Sequence, residues 1–171
     1  GDKREYYATY GNNAFANTFD ALGRQTQRTH TVSGSTRMTT TYGYINPDST
    51  HTTTLLSTVR NQGTQFDKTT AYTYDARGNI TSVTANGSTT TFVYDNLGQL
   101  TRENNQAAGK TWTWTYDTVG NILSKSEYAY TTGSLGTALD TITYLFFCKD
   151  VPTGSKHCTG MKRDMCSCIN V

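Results

Sequence analysis

Carboxylates recur at matched places in this chain, at Asp20, Asp75, Asp95 and Asp117. Acidic groups along one rim could act as a general acid and base, or gather hard oxygens around calcium. A retaining glycoside hydrolase needs its two carboxylates about 5 Å apart, a separation that nothing in this pattern sets. Nucleophilic catalysis needs a base beside the nucleophile, and His30, His51 and His157 stand in no motif that supplies one. Cys148, Cys158, Cys166 and Cys168 are spaced C-x9-C-x7-C-x-C, without the C-x2-C pairs of zinc fingers. The expectation is no catalytic residue, no metal site and no cofactor. For the cysteines, disulfides, free thiols and a metal stay open, although a Cys166–Cys168 bridge is disfavoured.

The carboxylates belong to a repeated phrase. Phe19-Asp-Ala-Leu-Gly-Arg, Tyr74-Asp-Ala-Arg-Gly-Asn, Tyr94-Asp-Asn-Leu-Gly-Gln and Tyr116-Asp-Thr-Val-Gly-Asn all read aromatic-Asp-x-x-Gly-x. Asp is favoured at the first position of a type I turn, where its side chain accepts backbone N–H bonds. A type I turn followed by Gly at positive φ is a common three-residue hairpin loop. Each phrase therefore reads as a hairpin tip: Phe19, Tyr74, Tyr94 and Tyr116 end incoming strands, and Gly23, Gly78, Gly98 and Gly120 take the positive φ.

The segments between tips alternate as strands do. Thr111 to Tyr116 sets Trp112, Trp114 and Tyr116 on one face and three threonines on the other. The aromatic face is expected to be the less exposed, with Tyr74 and Tyr94 in line with Tyr116. Asn86-Gly87 marks a two-residue hairpin at the opposite rim, and 104–109 a longer loop. Asn79-Ile-Thr81 and Asn86-Gly-Ser88 match the glycosylation sequon, but both coincide with turns that want Asn anyway. No helical periodicity is sustained through residues 1–144.

The phrases resemble the YD repeat of RHS-type proteins, bacterial surface or secreted polypeptides with relatives in animal teneurins. The likeness is close at Tyr74 to Ser82, Tyr94 to Arg102 and Tyr116 to Ser124, and good at Phe19 to Gln27 with Phe in place of Tyr. The first two full units lie 20 residues apart and the next 22. The longer step from Asp20 to Asp75 holds one or two degenerate units, with Tyr42-Gly-Tyr44 and 52–59 as their strands. The resemblance implies an all-β fold, an antiparallel hairpin array forming an open, spiralling sheet, which is an arc of a shell. In this family such shells enclose a C-terminal toxin domain or present an adhesive surface. A few units can make only an arc, and the proline- and glycine-containing motif that ends the family's repeat core is missing from this sequence.

Composition narrows the function. Hydrophobic residues make up 35%, against about 45–50% in ordinary domains, and aromatics carry much of that share. With no initiator Met, signal peptide or bilayer-length apolar run, the chain reads as cut from something larger, with no membrane insertion; secretion or display at a cell surface is what the resemblance implies. Lys/Arg and Asp/Glu balance over 1–147, and the net charge of +2 arises beyond it. That body lacks the basic stripe nucleic acid needs. The expected organisation is a YD-repeat sheet over 1–144 and a Cys-rich tail over 145–171. The expected role is a non-catalytic wall or scaffold segment that self-associates through strand edges or pairs with the rest of a parent shell. The alternatives are an adhesin-like module binding carbohydrate or protein through exposed aromatics, and a carrier of a small Cys-rich peptide.

Overall fold

The computed structural model describes residues 5–46, 51–150 and 156–162, with side chains from 6 to 144 within those ranges. Every described element is a β-strand. The protein is all-β, an antiparallel hairpin array in an open sheet whose strands follow one another in sequence order.

The chain divides into two compact units, Gly1–Thr89 and Thr90–Val171. In the first, β1 (Glu5–Tyr10), β2 (Asn13–Phe19), β3 (Gln25–Val32), β4 (Ser35–Tyr44), β5 (Leu56–Gly63), β6 (Phe66–Tyr74) and β7 (Ile80–Ala85) pair in succession. Strand β8 (Ser88–Tyr94) carries the division between the units. In the second, β8 pairs with β9 (Leu100–Asn105), and β10 (Lys110–Tyr116), β11 (Ile122–Ala129), β12 (Asp140–Asp150) and β13 (Lys156–Lys162) follow. Strand β12 runs across residue 144, where the sequence reading placed its boundary.

Turns fix this order. One rim uses short hairpins with left-handed residues, at Ser33-Gly34 (φ 50° and 77°) and at Asn86-Gly87 (52° and 76°). These are the signs a type I′ turn demands, and they match the strand twist. The other rim carries the Asp-x-x-Gly tips.

Among the described residues no apolar side chain is buried; the buried residues are Thr40, Asn104 and Thr111. Thr40 faces Asn61 across β4 and β5, and its hydroxyl donates to Asn61 Oδ1 at 2.7 Å. In the second unit Asn104 lies between Thr91 and Thr111 on adjacent strands. Its Nδ2 donates to Thr91 Oγ1 at 2.7 Å. The aromatic-in, threonine-out expectation holds at Thr115, which is exposed beside half-buried Trp114 and Tyr116. It fails at Thr111, which is fully buried. The chain after β11 folds over that position: the Thr111 hydroxyl donates to the Thr131 carbonyl and accepts from the Thr131 N–H, both at 3.0 Å.

Candidate functional site

The recurring tips are the most regular constellation in the chain. Each begins where the incoming strand ends in an aromatic residue. There the register slips by one, at Thr18/Phe19, Thr73/Tyr74, Val93/Tyr94 and Thr115/Tyr116. Such a bulge sets two residues against one and increases the local twist, which turns the strand into the loop. The Asp N–H then donates to the carbonyl four residues on at 2.9 Å in all four tips, and the Gly N–H returns to the Asp carbonyl at 3.0–3.2 Å.

The carboxylates complete the turn. Asp20 Oδ1 accepts from the N–H groups of Leu22 and Arg24, Asp75 from Arg77 and Asn79, Asp95 from Leu97 and Gln99, and Asp117 from Val119 and Asn121. All eight bonds measure 2.8–3.0 Å. The second oxygen holds the side chain four residues on: Arg24 Nε at 2.7 Å for Asp20, Asn79 Nδ2 at 2.9 Å for Asp75 and Asn121 Nδ2 at 2.8 Å for Asp117. Gly23, Gly78, Gly98 and Gly120 have φ of 79°, 88°, 80° and 92°, as the turn reading requires. The Asn79 side-chain bond, with backbone N–H groups behind it, holds the Asp75 carboxyl below its usual pKa, and Asn121 does the same for Asp117. At Asp20, burial raises the pKa, but the bonds from Arg24 and Leu22 outweigh it and leave it lowered.

A fifth position repeats part of this pattern without the phrase. The register also slips at Gly43/Tyr44, and the Tyr44 hydroxyl donates to the Gln25 carbonyl at 2.7 Å. Tyr116 donates in the same way to the Leu100 carbonyl at 2.7 Å. Gln25 and Leu100 each lie five residues past a tip aspartate, so Tyr44 stands as the aromatic of a degenerate unit. Burial pushes both phenols up from their ordinary pKa. The loop after Tyr44 is anchored by Arg24, whose Nη1 donates to the Thr53 carbonyl at 2.6 Å and whose guanidinium lies 4.6 Å from the Tyr44 ring centre.

The tryptophan face carries a second cluster. Trp112 Nε1 donates to Glu127 Oε2 at 3.0 Å, and Lys110 Nζ lies 2.5 Å from Glu127 Oε1. The Lys110 bond, then the Trp112 bond, lower the Glu127 pKa. Lys125 Nζ sits 5.3 Å from the Trp112 ring centre and 5.5 Å from that of Trp114, within cation–π range. A hollow of about 60 Å³ is bounded by Trp112, Lys125, Glu127, Asp140 and Ile142.

The remaining candidates do not converge. His30 stacks on Phe15 at 4.6 Å and its Nε2 lies 2.9 Å from Asn13 Oδ1. Among the described residues no group of three or more His, Cys, Asp or Glu gathers as metal ligands, and no helix is long and apolar enough to cross a membrane. Cys166 and Cys168 lie outside the described residues, as do the side chains of Cys148, Cys158 and His157. The threonine and asparagine ladder was missed in the sequence because isolated Thr and Asn carry no periodic signal of burial. The alternation of Thr111 with Trp112 was visible, but not the loop that covers it.

Comparison with known proteins fits the tip geometry. The RHS Repeat family model matches residues 74–105 and 94–134. The Tyr74, Tyr94 and Tyr116 units fall inside the match; the Phe19 unit lies outside it, with the same turn geometry. No curated protein matches the chain. Among solved structures the chain is similar to the Tc holotoxin pore of Photorhabdus luminescens, with 16% identity and a TM-score of 0.47. That likeness covers 77% of this chain and 8% of the other.

Proposed function

We propose that this RHS-repeat chain is a non-catalytic wall segment of a secreted or surface shell, and that it associates through its strand edges. The observation that carries the reading is the role of the repeated aspartate, whose carboxylate closes the same turn in all four tips. A carboxylate bonded to two backbone N–H groups in its own turn is committed to architecture. An array of this kind gains stability from nearest neighbours, so its ends are incomplete without further repeats. Among the described residues β1 pairs on one side only, with β2. Its Tyr6, Tyr7 and Tyr10 are exposed. An uncovered edge of that kind is a template for another strand, and the charge balance of 1–147 offers little repulsion against it.

Exposed tyrosines on β1 also suit the adhesin alternative, whereas the Lys125 ammonium over Trp112 and Trp114 weighs against the tryptophan face as a sugar platform. Hydrogen exchange on the full chain, read peptide by peptide at low and high protein concentration, separates these readings. Edge pairing predicts that amides of β1 slow as concentration rises while the tips stay unchanged. Exchange independent of concentration, together with saturable binding of an oligosaccharide, would replace the wall reading with the adhesin one.

A further inference from the structure

The last hairpin brings two cysteines into register. Strands β12 and β13 pair with Tyr144 opposite Lys162 and Asp150 opposite Lys156, and that register places Cys148 directly opposite Cys158. Opposed residues of an antiparallel pair have Cα atoms about 4.5 or 5.5 Å apart, depending on whether they exchange hydrogen bonds. Both separations fall inside the roughly 4.4–6.8 Å span of a disulfide. Among the pairings open to the four cysteines, this register favours Cys148 with Cys158 and needs no bond between Cys166 and Cys168. The thiolate is the form that attacks a disulfide.

We propose that Cys148 and Cys158 form a cross-strand disulfide by exchange with a low-molecular-weight disulfide, for which glutathione disulfide is the probe. One cysteine thiolate attacks a sulfur of glutathione disulfide, giving a protein–glutathione mixed disulfide and releasing one glutathione thiolate. The second cysteine thiolate then attacks the protein sulfur of that mixed disulfide and expels the second glutathione. The protein loses two thiol protons and two electrons; glutathione disulfide gains both and leaves as two glutathione thiols. The bond joins β12 to β13 and closes the 148–158 loop.

The sequence allows the pairing to be read directly. Tryptic cleavage after Lys125, Lys149, Lys156, Lys162 and Arg163 separates Cys148 (in 126–149), Cys158 (in 157–162) and the Cys166/Cys168 pair (in 164–171). The full chain is equilibrated with glutathione disulfide, alkylated and digested without reduction, in native buffer and in concentrated guanidinium. The expected result in native buffer is the 126–149/157–162 linked peptide at least about tenfold above either link to 164–171, since paired strands raise the effective concentration of the two thiols. In guanidinium that preference disappears. Cys148→Ser removes the link, whereas the double variant Cys166→Ser, Cys168→Ser keeps it. A dominant link to 164–171, a preference unchanged by guanidinium, or four thiols still alkylatable after excess oxidant each overturn the proposal.

Discussion

Asp75 shows what one residue contributes to a tip. Its carboxylate takes the Arg77 and Asn79 N–H groups on one oxygen and the Asn79 amide on the other, and Gly78 turns the chain at φ 88°. The bond pattern favours the charged form, so the native Asp75 and Asp117 carboxyls titrate below the unfolded value of about 3.9. The unfolded state then binds more protons over that interval, and stability rises with pH there. Their stabilising contribution is complete above about pH 4–5 and is lost as pH falls through the lowered native values. The urea midpoint should therefore drop between about pH 5 and pH 2, and the double variant Asp75→Asn, Asp117→Asn should flatten that slope. An identical slope in the variant would separate the tips from acid stability. At Gly98, φ is 80° and no atom stands within 4 Å of an added Cβ, so backbone strain alone should decide the outcome. Gly98→Val is expected to cost about 1–3 kcal/mol in chemical denaturation, and Gly98→Asn less, because Asn tolerates the left-handed region.

At the scale of the strands, local chemistry was legible and coverage was not. The tips could be read because Asp, Gly and the preceding aromatic each answer a demand of a four-residue turn, and the Asn86-Gly87 hairpin for the same reason. Tyr44 was legible only as a strand end, since its loop lacks the Asp-x-x-Gly phrase and its repeat role lies in a hydroxyl bond to Gln25. Thr111 was misread because its burial depends on Thr131, which lies 20 residues away. Around it Arg102 Nε donates to Asn104 Oδ1 at 2.7 Å, and Arg102 Nη2 reaches the carbonyls of Thr131 and Gly133 at 2.7 and 2.9 Å. Thr111→Val would leave the Thr131 N–H and carbonyl without their hydroxyl partner in a dry position. The expected loss is about 1–3 kcal/mol, while the exposed neighbour change Thr115→Val should stay within about 0.5 kcal/mol. Equal effects at the two positions in thermal unfolding would mean that the ladder adds nothing beyond strand propensity.

At the scale of the whole chain, the absence of a buried apolar residue among those described separates this protein from a domain that closes on its own core. Its faces are half-buried, its turns are strongly specified, and its buried groups are polar and satisfied. Such a chain specifies the path of its backbone closely and leaves much of its stabilisation to neighbours, as repeat arrays do. The low hydrophobic content of 35% had pointed this way, because it falls short of what a self-sufficient core uses. The 148–171 segment holds the surplus positive charge and every cysteine, outside the four tip phrases. Sedimentation equilibrium of the full chain across a wide concentration range tests the central claim most directly. The account predicts a weight-average mass that climbs above that of one chain as concentration rises, whereas a single-chain mass at every concentration would contradict it.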